Sequence, residues 1–306
     1  MKQKVLILGS AGFLGRFLFE NLQHDFEVFG TYNRFKPTES SNLYKCDVFD
    51  KRLLSDTISE IGPDIVINCV GLANVDYCEL HPESAWALNA LVPYTIMELC
   101  KKLEIKNIHI STDHFTNLKK TSIQEDEKLF AVNQYGKSKL FAEGFITERH
   151  DNSLIIRSNF LGFSASSNRS FLGWAYNRLL QDKQILGFED VIFTPVSLGV
   201  LANVITQLIL SEKSGIYNVS SSKSITKFDL LIQLCEIWGF SSSAVTKCTL
   251  ERANLAARRP LDMSLNNFKI CNDLGYPLPD LNAMISDAAN MHNHLIEDGE
   301  NDVFER

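Results

Sequence analysis

Near the amino terminus, Val5-Leu6-Ile7-Leu8 is an unbroken run of β-prone apolar residues, and Gly9-Ser10-Ala11-Gly12-Phe13-Leu14-Gly15 follows at once. The next stretch, Arg16-Phe17-Leu18-Phe19-Glu20-Asn21-Leu22, carries its apolar residues at helical spacing. A run apolar at every position fits a strand buried on both faces, as in a parallel sheet covered by helices. Strand, glycine loop and helix in that order give the G-x-x-G-x-x-G spacing a meaning as a dinucleotide fingerprint; outside that context three glycines would mark only a tight turn. Gly9 permits the turn, Gly12 lets a pyrophosphate approach the backbone, and Gly15 lets helix and strand pack closely. Ser10, Ala11, Phe13 and Leu14 complete the loop and the helix start, where free N–H groups and the helix dipole favour phosphate.

A second strand is expected over Glu27–Tyr32, and it ends in Thr31-Tyr32-Asn33-Arg34 without the carboxylate that would hold a ribose 2′-hydroxyl. Arg34 can pair with a 2′-phosphate, which favours NADP(H) over NAD(H) and leaves NAD(H) open; the same Arg fits a solvated loop equally. Asp47 and Val48 close a short third strand at the adenine edge. Pro63–Gly71 holds another buried strand, with Asn68, Val70 and Gly71 along the cofactor, and a helix is expected from Pro82 through Trp86, Asn89, Tyr94 and Leu99. Asn89, on a largely apolar helix face, reads as a residue satisfied by strand backbone. Lys106–Ile110 is a further strand, and its polar end, Ser111-Thr112-Asp113, faces the side where open α/β sheets bind ligands. Gln124-Glu125-Asp126-Glu127 reads as solvated surface.

Tyr135-Gly136-Lys137-Ser138-Lys139 then opens a helical pattern. One turn of spacing puts the Tyr135 hydroxyl and the Lys139 ammonium on one face. An ammonium close to a phenol favours the phenolate, and a tuned Tyr can act as a general acid or base. Alone, the pair would be ordinary helix surface. Its place after a glycine loop, a sheet and a Ser-Thr-Asp strand end makes it a catalytic candidate.

Beyond the strand at Ser153–Arg157 the pattern turns irregular, through Asn159, Phe160 and a Ser-rich stretch reaching Ser170. Later segments are an apolar helix ending near Leu210, a strand at Gly215–Val219, a helix over Phe228–Trp238, a short helix after Ser264 and a last helix from Asp280 to Leu295. The expected architecture is an α/β Rossmann-type doubly wound parallel sheet with a smaller C-terminal substrate-binding lobe. Residues 1–160 are mainly the NAD(P)-binding domain, 161–295 mainly the lobe with some segments returning to the first domain, and 296–306 an acidic tail.

Composition narrows the partners. The 306 residues are 45% hydrophobic and 22% charged, enough for a substantial buried core. A formal charge of -7 argues against nucleic acid or an anionic membrane. The apolar run at Val5–Leu8 is too short for a signal or membrane segment, so a cytoplasmic protein is expected. Seven cysteines without a C-x-x-C pair suggest buried reduced thiols, and no ligand spacing names a metal. A homodimer is compatible with the sequence.

Taken in order, these features resemble the extended short-chain dehydrogenase/reductase superfamily, and within it the dTDP-4-dehydrorhamnose reductases. The narrower likeness rests on Ile110-Ser111-Thr112-Asp113, Asn133 to Leu140, Val75-Asp76-Tyr77-Cys78-Glu79, Ala257-Arg258-Arg259-Pro260 and Leu278-Pro279-Asp280. It covers roughly residues 3 to 290.

The resemblance implies that Thr112, Tyr135 and Lys139 form the catalytic triad, with Tyr135 and Lys139 also touching the nicotinamide ribose. Asp113 would orient the sugar of a nucleotide-sugar substrate, and the reaction would be reduction of the C4 keto group of a 6-deoxy-4-keto sugar for surface-polysaccharide precursors. His114 stands where the family commonly has Tyr, and Asn159-Phe160 where it tends to place a Trp. Both departures fall on the substrate side, where Phe160 could stack on a sugar or base. Arg258 and Arg259 either pair with a nucleotide diphosphate or lie on the surface. Two other readings are a nucleotide-sugar epimerase or dehydratase with tightly held NAD, and a non-catalytic cofactor-binding regulatory subunit.

Overall fold

The computed structural model describes residues 2–117, 122–163 and 170–297. The Ser-rich stretch 164–169 and the acidic tail from 298 onward lie outside the described residues.

A seven-stranded sheet organises the chain. Its strands are β1 (Lys4–Leu8), β2 (Glu27–Tyr32), β3 (Leu43–Lys45), β4 (Ile65–Asn68), β5 (Lys106–Ile110), β6 (Ser153–Arg157) and β7 (Gly215–Asn218), in the spatial order β3-β2-β1-β4-β5-β6-β7. Every pairing is parallel. Successive side chains point to opposite faces, so each apolar strand feeds two cores. Val5, Ile7, Ile65, Ile67, Ile108 and Ile156 pack with the helices Phe13–Asn21 and Leu198–Leu210 on one face. Leu6, Leu8 and Val66 pack with Lys51–Ile61 and Val92–Lys102 on the other.

The chain reverses direction across the sheet between β1 and β4, and such a switch point is where ligands bind, beyond the carboxyl ends of the strands.

After β6 the chain builds three short strand pairs: Phe160–Leu161 with Val196–Ser197, Ile192–Phe193 with Ile225–Thr226, and Ile185–Phe188 with Val245–Cys248. They close over a separate core containing Phe163, Leu172, Phe193, Leu230 and Ile285. Leu198–Leu210 and β7 return to the main sheet.

Local differences from the expected elements have identifiable causes. The helix after Pro82 is broken into Pro82–Trp86, a π-helical turn at Ala87–Leu91 and Val92–Lys102. Pro93 in the first turn of the last segment has no N–H for a continuous ladder. Asn89 in the π turn does bind backbone, accepting from Leu72 N–H at 2.8 Å and donating to Leu72 O at 3.0 Å. The third strand stops at Lys45, and Asp47 and Val48 fall in the turn beyond it. Gln124–Glu127 is not a free surface. Glu125 Oε1 accepts Asn218 N–H at 2.9 Å and Glu127 Oε2 accepts from Asn117 at 2.8 Å, so both carboxylates stitch the loop to its neighbours.

The helices Val75–Leu80 and Phe171–Leu180 and the strands Ile185–Phe188 and Val245–Cys248 carry too short or too mixed a pattern to be read from sequence. Among the described residues no helix is long and apolar enough to cross a membrane.

Candidate active site

At the switch point Gly9 has φ +84°, a conformation open to glycine at little cost. A Cβ on Gly15 would lie 2.2 Å from the Gly9 carbonyl oxygen, so the helix sits on the loop as closely as glycine allows. Ser10 fastens the loop to β2 by donating both its N–H and its Oγ to Thr31 O, each at 2.9 Å. Gly12 caps the helix Phe13–Asn21 without a side-chain hydrogen bond, leaving the helix N-terminus open to a ligand.

A groove of about 540 Å³ runs past this loop, lined by Gly9, Ala11, Gly12, Arg34, Val48, Val70 and Gly71. Arg34 is exposed there, with no carboxylate in ion-pair distance among the described residues. These features fit a dinucleotide with an extra phosphate. The Ser10 hydroxyl is committed to Thr31, Leu14 is buried in the core, and Asp47 Oδ1 accepts Phe49 N–H at 3.0 Å. Phe13 turns to the Phe160 ring, 5.9 Å between centroids.

The polar end of β5 meets the helix Gln134–Arg149. Asn133 caps that helix through Oδ1, which accepts Gly136 N–H at 2.8 Å, and its Nδ2 donates to Arg258 O at 2.8 Å. A Cβ on Gly136 would lie 2.6 Å from His114 O, so helix and strand end approach at glycine distance. This approach brings the expected triad into one place. Tyr135 lies beside Thr112 and packs edge-on to His114, 5.3 Å between rings. Lys139 Nζ donates to Ile110 O at 2.6 Å.

Electrostatics here depart from the sequence expectation. Burial raises the Tyr135 pKa above its ordinary value, the Thr112 hydrogen bond opposes this, and Asp113 and Cys78 add to it. The Lys139 ammonium is directed at the Ile110 carbonyl. Burial also lowers Lys139 to about 8, with Glu143 and Cys69 opposing.

Two further buried groups adjoin the triad. Asn68 Oδ1 accepts Val70 N–H at 3.0 Å, which turns its Nδ2 to His109 Nδ1 at 3.3 Å. The other ring nitrogen of His109, Nε2, lies 3.5 Å from Lys139 Nζ. Burial and then Lys139 hold His109 far below its ordinary pKa, hence neutral. One turn beyond Lys139, Glu143 takes Ser111 Oγ at 2.5 Å and Arg157 Nη2 at 2.7 Å, with both charged side chains almost fully buried. Glu143 follows Lys139 by one helical turn and shares its face, whereas sequence spacing gave no sign of His109 as a neighbour of Lys139.

A cleft of about 960 Å³ opens beside Tyr135's neighbour His114, lined also by Asp76, Arg178, Lys227 and Arg259. Asp113 lies next to it, buried, its Oδ2 accepting from Asn159 Nδ2 at 2.7 Å. Burial raises Asp113 to about 6. Arg259 is not loose surface: it donates to Asp76 Oδ2 and to Ala257 O, each at 2.8 Å. Arg258 is exposed, and Phe160 is half-buried against Phe13. Lys227 was not singled out by the sequence. It begins the helix Lys227–Trp238 one residue before the expected start, with Nζ 3.3 Å from the Phe193 ring centroid.

A parallel sheet of this order, a glycine loop at its switch point and a Tyr-x-x-x-Lys pair set beside a Thr at a strand end define the extended short-chain dehydrogenase/reductase class. Within that class the chain belongs to the RmlD substrate binding domain family, whose model matches residues 3–293. It is similar to the probable low-salt glycan biosynthesis reductase Agl14 of Haloferax volcanii, 27% identical over 280 residues that cover 90% of this chain and 93% of that protein. A hypothetical dTDP-4-dehydrorhamnose reductase from Sulfolobus tokodaii superposes with a TM-score of 0.79 at 30% identity, covering 90% of this chain and 96% of that one. The dTDP-4-dehydrorhamnose reductase of Bacillus anthracis, solved in complex with NADP, gives a TM-score of 0.84 at 22% identity, covering 94% and 99%.

Proposed function

We propose that this protein is a cytoplasmic NAD(P)H-dependent reductase, with NADPH favoured, acting on the C4 keto group of a nucleotide-linked 6-deoxy-4-keto sugar for surface-polysaccharide synthesis. The observation that carries the reading is the buried grouping of Tyr135 with Thr112, Asp113 and His114, the His114 ring edge-on to that of Tyr135. In this reading residues 1–160 mainly hold the cofactor and 161–295 mainly hold the substrate.

A bound dihydronicotinamide would supply hydride to the carbonyl carbon. Tyr135 keeps its proton at neutral pH, because burial has raised its pKa, and it delivers that proton to the alkoxide oxygen as charge develops. Thr112 donates a hydrogen bond to the same oxygen. Lys139, a buried cation one helical turn away, adds positive potential in a site of low dielectric. Asp113, held by Asn159, accepts from a sugar hydroxyl and fixes the ring.

An epimerase or dehydratase would hold NAD through its cycle, and the end of β2, Thr31-Tyr32-Asn33-Arg34, offers no carboxylate to a ribose 2′-hydroxyl. The test is a panel of dTDP-, UDP-, GDP- and CDP-linked 4-keto-6-deoxy sugars, followed by loss of dihydronicotinamide absorbance. Oxidation of NADPH with at least one sugar supports the reading. No oxidation of NADPH or NADH with any of them overturns it.

A further inference from the structure

The cleft beside His114 contains more positive charge than its own carboxylate can neutralise. Its lining carboxylate is Asp76, and Asp76 is engaged: Oδ2 pairs with Arg259 at 2.8 Å and Oδ1 accepts Ala257 N–H at 2.9 Å. Arg259, the residue whose position in the sequence suggested phosphate contact, is thus already matched by a charge and by the Ala257 carbonyl.

Two other cations of the same lining differ. Arg178 donates from Nη2 to Gln184 O at 2.7 Å, while its Nε is buried with no hydrogen-bond partner among the described residues. Lys227 rests its ammonium on the ring of fully buried Phe193 and forms no ion pair at contact distance among the described residues. Burial pulls Lys227 down to about 8, with Asp113 the opposing charge, so the site would gain from an anion.

The two cations flank one pair of rings. Lys227 Nζ lies 5.1 Å from the Phe171 centroid, Arg178 Cζ lies 6.0 Å from that of Trp174, and the two rings are 5.7 Å apart. His114, whose buried Nδ1 has no hydrogen-bond partner among the described residues, lines the same space. Unmatched buried donors along an aromatic wall suit a ligand that brings acceptor oxygens and negative charge.

We propose that Lys227 and Arg178, rather than Arg259, are the residues that bind the diphosphate of the nucleotide sugar, and so set the requirement for a nucleoside diphosphate. The inference rests on the reductase reading for the identity of its ligand, but binding can be measured without turnover.

The experiment is calorimetric titration of the NADPH-loaded protein with dTDP, UDP, GDP and CDP, and with the corresponding nucleosides. Lys227→Met and Arg178→Met should each weaken the best nucleoside diphosphate by roughly 10- to 100-fold, the loss of one charged hydrogen bond. Nucleoside affinity and NADPH affinity should stay unchanged, and Lys227→Arg should recover most of the diphosphate affinity. Wild-type diphosphate affinity in Lys227→Met would overturn the proposal. So would a loss confined to Arg259→Met, or an equal loss for nucleosides. If diphosphate binding depends on Lys227 and Arg178 while no keto sugar is reduced, this inference stands and the reductase reading falls. If keto sugars are reduced with unaltered kcat/KM in both variants, the reverse holds.

Discussion

Lys139 Nζ stands 3.5 Å from His109 Nε2 while donating to Ile110 O at 2.6 Å, so the cation is held against sheet backbone and a neutral imidazole. The largest opposing influence on its lowered pKa is Glu143, itself bound to Arg157.

This relationship predicts an alkaline limb in kcat/KM near pH 8, where Lys139 loses its proton. Glu143→Gln should move the limb to lower pH, because it removes the charge that raises Lys139. Unfolding does not cause the limb. Between about pH 8 and the ordinary Lys value near 10.4 the unfolded chain binds a proton the folded one lacks, so Lys139 makes stability rise with pH there. The variant should also lose about 3–5 kcal/mol in urea unfolding, since buried Arg157 is left uncompensated. A limb that stays in place in Glu143→Gln contradicts the assignment.

Asp113 should behave in the opposite sense. With its folded pKa raised from 3.8 to about 6, the folded state binds the extra proton between those values, and stability from this group falls as pH rises through the window. Asp113→Asn should therefore stabilise the protein above pH 6 by about 1–3 kcal/mol, with Asn159 still able to donate, and the gain should vanish below pH 4. Thermal melts across that range check it, and kcat should fall even as Tm rises.

Arg34 is the expected determinant of cofactor choice. Replacing it with Ala should raise KM for NADPH by roughly 10- to 100-fold, the value of a charged hydrogen-bond pair, and leave KM for NADH nearly unchanged. Equal effects on both cofactors would place Arg34 in the solvated loop.

Gly15→Ala tests the loop by sterics alone. A Cβ there meets the Gly9 carbonyl at 2.2 Å, so the helix must move off the loop. NADPH affinity should drop at least about tenfold, and Gly144→Ala, where a Cβ meets nothing within 4 Å, should leave it unchanged. Fluorescence titration of NADPH separates the two.

What the sequence disclosed was local. The turn at Gly9, the close packing at Gly15 and the one-turn spacing of Tyr135 and Lys139 depend on neighbours within a few residues, and a strand apolar at every position states its own burial. What it withheld depends on the sheet. Asn68 meets His109 because β4 and β5 pair with these two residues opposite each other. Arg259 reaches Asp76 across 183 positions, and Lys227 lies on Phe193 through the packing of short strands. The Tyr135 pKa is raised for the same reason: spacing gives the nearness of an ammonium, while burial is a property of the finished fold. Glu125 and Glu127, polar in sequence, are structural because β7 and Asn117 come to meet them.

Tyr135 is the proton donor to the reduced keto oxygen in the proposed reaction. The most direct test of this role is single-turnover NADPH oxidation by Tyr135→Phe with a nucleotide-linked 4-keto sugar that the wild type reduces. The rate should fall by about 10²- to 10⁴-fold with NADPH affinity unchanged. A variant that turns over at the wild-type rate would contradict it.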